Sequence, residues 1–218
     1  MTAFIPEVPV PTSPAGEQPI GRLARDDIDS KGARAPTISE TRSAIRQAAH
    51  AVIRLYLEIG KIRQISMAPP GGSIVWEHDE PRDHTEEYLL AMLSVTLSGR
   101  AAEEAIIGNV AAEIGVPASD LRIATEMAIR LETTSGFAQK WRLLHRPIKD
   151  PALIFAVDPS FAGLVHNRLE AAYGAAKTLV ARQRGAIEAL AGALLTHRTL
   201  EGKLLEQTLD RVRERIQE

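Results

Sequence analysis

Histidines and carboxylates are where this sequence could do chemistry, because it contains no cysteine. That absence removes disulfides, cysteine nucleophiles, thiolate metal sites and iron–sulfur clusters together. The histidines are His50, His78, His84, His145, His166 and His197. His50 falls on an apolar helical stripe. His78 and His84 bracket the acidic part of the stretch Glu77-His78-Asp79-Glu80-Pro81-Arg82-Asp83-His84. Joined to His50, they would make a mixed histidine–carboxylate set of the kind zinc accepts. Standing alone, a histidine on an apolar face is a hydrogen-bonded core residue. His145, His166 and His197 have no metal-like spacing and read as surface residues. Glu103 and Glu104 are adjacent acids that could serve as a base or ligand pair, but on a helix such pairs form a solvated or ion-paired face. No H-E-x-x-H pair occurs, and no G-x-x-x-x-G-K-S/T phosphate loop. ATP, if it is needed, comes from another chain.

The elements that must position these residues follow from periodicity. Residues 1–36 hold six of the 13 prolines and few apolar side chains. They read as a disordered or loosely attached arm, either a plain tail or a docking segment. From Thr37 the period turns helical: Ile38, Ile45, Ala49, Val52, Ile53 and Tyr56 make one stripe. A helix capped by Thr37 or Ser39 is expected to run to Ile59, before Gly60. Residues 62–76 contain two short β-like runs around Pro69-Pro70-Gly71-Gly72 and predict a hairpin. A densely apolar helix, buried on more than one side, is expected over 83–107. Another follows Pro117, capped near Ala118 or Ser119, with Leu121, Ala124, Ala128 and Leu131 on one face and Gly136 at its end. Residues 137–158 read as irregular. Three further helices are expected at 160–182, 184–197 and 201–216. The fold class is mostly α with a small β-hairpin or sheet. Within 218 residues that is one domain, 37–218, behind the arm.

The order of segments resembles the zinc peptidase domain of the FtsH-type ATP-dependent metalloproteases. Arg46-Gln47-Ala48-Ala49-His50-Ala51 stands where that family has H-E-A-G-H-A. Ser98-Gly99-Arg100-Ala101-Ala102-Glu103-Glu104 is similar to its G-G-R-A-A-E-E segment. Ser119-Asp120-Leu121-Arg122-Ile123-Ala124-Thr125 is similar to its D-L-x-x-A-T segment. Ala172-Tyr173, Ala176, Leu179, Arg184, Leu190-Ala191, Leu194-Leu195 and Thr199-Leu200-Glu201-Gly202 match its closing helices in order. The resemblance covers roughly residues 38–210.

What the resemblance implies is a site of altered chemistry. In H-E-x-x-H the two histidines hold zinc and the glutamate takes a proton from the bound water. Arg46 stands at the first ligand position, and a guanidinium only donates. Gln47 stands at the base position and cannot accept the proton. His50 and Asp120 match the second and third ligands. No catalytic residue is therefore expected intact at the degenerate site Arg46, Gln47, His50 and Asp120. No cofactor is expected, with zinc only if the site is rebuilt. Arg46 is expected to pair with Asp120 in place of the lost cation.

The function expected is that of an inactive peptidase homologue that binds, scaffolds or regulates. The alternatives are an active zinc metalloendopeptidase with an altered metal site, and a helical module that recruits a partner through residues 1–36. The expected partners are a protein or extended peptide at the 62–76 hairpin, which otherwise is purely structural. Self-association, or assembly with an active protease, is expected by analogy with the resembled family. A net charge of −2 argues against a broad nucleic-acid surface. No apolar run is long enough to span a membrane and the N-terminus lacks a secretory pattern, so a cytoplasmic protein is expected.

Overall fold

The computed structural model describes residues 34–67, 72–77, 83–112 and 119–216. The chain divides into two units, Met1–Ala35 and Pro36–Glu218. Nearly all of the expected arm lies outside the described residues, as do the turn at 68–71 and the histidine-bearing loop at 78–82.

Helix α1, Ile38–Tyr56, begins with a reciprocal cap. The Thr37 hydroxyl accepts from the Glu40 amide at 3.2 Å, and the Glu40 carboxylate accepts from the Thr37 amide at 2.8 Å. The helix buries Ala44, Ala48, Ala51 and Val52 without exposure. It ends three residues before the expected Ile59. Glu58 turns into the left-handed region at φ 54°, Gly60 follows at φ 70°, and Ile59 is driven into the core. The Ile59 amide donates back to the Arg54 carbonyl, so the backbone is satisfied without a further turn.

The hairpin is part of a three-stranded antiparallel sheet of order β2-β1-β3. Strand β1 is Lys61–Ser66, β2 is Ser73–Glu77 and β3 is Thr199–Glu201. β1 pairs with β2 from Lys61 against Glu77 to Ser66 against Ser73, with a bulge between Ile62 and Gln64. On its other side β1 pairs Gln64, Ile65 and Ser66 with Glu201, Leu200 and Thr199. The third strand was not expected. It is short, and its partner lies far away in sequence.

Helix α2, Glu86–Ala102, packs against α1, against α3 (Asp120–Thr133) and against α5 (Pro159–Arg182). This central position explains its dense apolar sequence. α2 begins at a Thr85 cap, later than expected, and passes into a single π-helical turn, Glu103–Ile107, closed by Gly108 at φ 83°. Ser119 caps α3, but Leu121 on its first turn is 48% exposed, so only the later part of the expected stripe faces inward. Residues 137–158 are not wholly irregular. Pro151–Val157 form α4, with Asp150 as cap and Pro151 in the first turn, where its missing amide costs no hydrogen bond. Helices α6, Arg184–His197, and α7, Gly202–Arg213, close the chain. The main core gathers α1, α2, α5, α6, α7 and the sheet, and a smaller cluster of Ala128, Ile129, Phe161 and Val165 joins α3 to α5.

A charged cluster at the candidate functional site

Residues four apart on a helix share a face, which aligns Arg42, Arg46 and His50 on α1. The face looks toward the C-terminal half of α2 and the first turn of α3. Ser119 caps α3, and Asp120 follows at its first position, where the helix dipole favours an acid. The Arg46 Nε and Nη2 atoms each lie 3.0 Å from Asp120 Oδ2, so the expected pair is present. His50 Nε2 lies 3.0 Å from the same oxygen. His50 Nδ1 is 2.9 Å from the Val95 carbonyl of α2. Both ring nitrogens thus have oxygen partners, one on α3 and one on α2.

Burial by itself would raise the Asp120 carboxyl. The nearby His50, and then Arg46, outweigh that and hold it below the ordinary carboxylate range.

Behind this group lies Glu103, in the π-helical turn, with no exposure. Its Oε2 accepts from Arg42 Nη1 at 2.6 Å and from the Ala111 amide at 2.9 Å. Its Oε1 has no hydrogen-bond partner, and Arg46 Nη1 stands 3.6 Å from it. Arg42 also reaches the Asn109 carbonyl and side-chain oxygen. Arg46 is therefore held between two acids, Asp120 in front and Glu103 behind. The expectation of a solvated or ion-paired face fits Glu104, which is half exposed and bonds Tyr173, but misses the complete burial of Glu103.

Gln47 is buried beside Gly72, the residue just before β2. A Cβ at Gly72 would come within 3.1 Å of its amide nitrogen, so the close packing there depends on glycine. His84 stacks on Tyr88 at the start of α2, with ring centroids 5.4 Å apart, and His78 lies outside the described residues. His145, His166 and His197 are exposed.

The donor set does not fit a catalytic metal. His50 and Asp120 are spent on each other, and a permanent cation occupies the carboxylate they would share. No group of three or more histidines and acids able to hold a metal gathers among the described residues. Zinc sites ordinarily need three protein ligands. The spacing of Arg46 and His50 is legible in the sequence. The parts played by Arg42, Glu103 and Val95 are not, since only the tertiary fold brings them together. Arg42, one turn before Arg46, is the nearest to a sequence signal.

The model of peptidase family M41 matches residues 37–208. The chain is 32% identical over 213 residues to ATP-dependent zinc metalloprotease FtsH 1 of Symbiobacterium thermophilum, a match covering 90% of this chain and 34% of that protein. It is 27% identical over 206 residues to FtsH 2 of Methylacidiphilum infernorum, covering 84% and 32%. With ATP-dependent zinc metalloprotease YME1L1 of Homo sapiens it shares 29% over 193 residues, covering 84% and 23%. The chain thus spans about a third or less of the length of these relatives. No helix among the described residues is long and apolar enough to cross a membrane.

Proposed function

The chain belongs to peptidase family M41 and carries an FtsH-type peptidase domain, and from that premise we propose that it is a catalytically inactive member, acting as a binding, scaffolding or regulatory protein. One observation carries the reading: Arg46 and His50 both bond the Asp120 oxygen that would otherwise face a metal. Arg46 stands at the position of the first zinc ligand and Gln47 at that of the general base. Losing a general base alone costs about 100- to 10,000-fold in rate. Losing a ligand, with a guanidinium in its place, removes the metal as well. Arg46 instead supplies the positive charge that Asp120 requires, since a half-buried carboxylate without a partner is costly.

The activity left to such a protein is recognition. β2 stands at one edge of the sheet, with Val75 47% exposed, and an extended peptide can add to a strand edge without being cut. The partner would be an extended protein segment at the 62–76 hairpin, with a second copy or an active protease of the family as the assembly partner.

Elemental analysis of the purified protein, free of chelators and metal-binding tags, tests the reading. The expected zinc content is far below one per chain, rising toward one in the double variant Arg46→His, Gln47→Glu. Near-stoichiometric zinc in the native protein, lost on His50→Ala, would overturn it, as would peptidase activity abolished by the same substitution.

A further inference from the structure

One turn beyond His50 on the same face of α1, Arg54 enters a cleft that plays no part in the site above. The cleft has a volume of about 590 Å³, within the range of small-molecule sites. Its apolar lining comes from Leu89 and Met92 of α2, Met127 and Leu131 of α3, and Phe137 just after α3. Two guanidinium groups, Arg54 and Arg130, also line it, and no acidic side chain does so among the described residues.

Arg54 is held in place without an anion. Its Nε donates to the Ile59 carbonyl at 2.6 Å, and its guanidinium lies 4.0 Å from the centre of the Trp76 ring. Burial pulls it below the ordinary arginine range. Among the described residues Arg130 donates to the carbonyl of Glu126, one turn back on its own helix. Three other arginines, by contrast, each meet a carboxylate: Arg42 meets Glu103, Arg46 meets Asp120, and Arg168 meets Glu132. A desolvated guanidinium fixed by backbone and ring, beside apolar walls, is a preorganised half of a carboxylate clamp. The two methionines make the apolar walls adaptable to an unbranched chain.

We infer that the cleft between α1, α2 and α3 binds an aliphatic monocarboxylate, with its headgroup on Arg54 and Arg130 and its chain over Met92, Met127 and Leu131. The carboxylate is needed for the charge and the chain for the walls, so neither alone suffices.

Calorimetric titration of the full chain with octanoate, octanol and acetate tests this, with melting temperatures recorded for every variant. Octanoate is expected to bind at least tenfold more tightly than octanol or acetate. Arg130→Gln, at an exposed position with a single backbone bond, is expected to keep the melting temperature and weaken octanoate roughly tenfold, the loss of one charge-assisted contact. Arg54→Gln should weaken it at least as much. Should Arg54→Gln fail to fold, Arg130→Gln decides alone. Octanol binding as tightly as octanoate, no octanoate binding at millimolar concentration, or unchanged affinity in Arg130→Gln would each overturn the inference.

Discussion

At Gly99 the missing side chain lets α2 lie directly against the charged face of α1. A Cβ there would fall 2.6 Å from His50 Nε2 and 2.7 Å from Arg46 Cγ. Gly99→Ala is therefore expected to lose about 1–3 kcal/mol of stability by overpacking, read as a lowered urea midpoint. In a His50→Ala background the loss should shrink, because the nearest clash is gone and neighbouring sites couple. Equal losses in both backgrounds would mean that the two helices part instead of the side chains shifting. This scale is also where the sequence is least informative. Arg46 and His50 can be found from their spacing, but Glu103 and Glu104 look alike on paper. Only the π-helical turn separates them, turning one into the core toward Arg42 and leaving the other at the surface beside Tyr173.

Among the elements, α1 shows how a local signal survives folding. Of the two caps expected for its start the structure uses Thr37, and Glu40, three residues on, returns the bond. The Glu40 carboxyl is held down at about 2, first by the Thr37 amide and then by Arg198. A carboxyl lowered in the folded state contributes stability above its unfolded value of 4.5, and that contribution disappears as pH falls from 4.5 toward 2. Thermal melts of the native chain and Glu40→Ala should therefore differ at pH 6 and converge as pH drops below 4.5. A difference independent of pH would remove the charge from the explanation. The helices were legible for the same reason as the cap: each writes its own period. β3 was not, since three residues carry no period and Leu200 becomes a strand residue only by meeting Ile65. α4 was hidden by prolines, which mark irregularity in general but also suit a helix's first turn.

Across the whole molecule, a second ion cluster ties three helices together away from the candidate site. Arg168 of α5 donates to Glu132 of α3 at 2.6 Å, to Glu86 of α2 at 2.9 Å, and to the Phe137 carbonyl at 2.5 Å. Glu132 is 1% exposed, so removing its cation strands a buried charge. Arg168→Leu is expected to cost about 3–5 kcal/mol in denaturant unfolding. Glu86→Gln, at the wetter end of the cluster, should cost clearly less. Equal costs would mean that the cluster acts as a surface pair.

The sheet order has a consequence for synthesis. Gln64 of the central strand and Glu201 of its second neighbour are 137 positions apart. At about 5–20 residues per second, a ribosome makes β1 on the order of ten seconds before β3 exists. Through that interval one side of β1 has no strand to meet. Any product released before Thr199 would carry that bare strand permanently, a signal that quality-control proteases and chaperones can act on. The residues from Thr199 onward thus close the second side of β1, which a product cut short before them leaves bare.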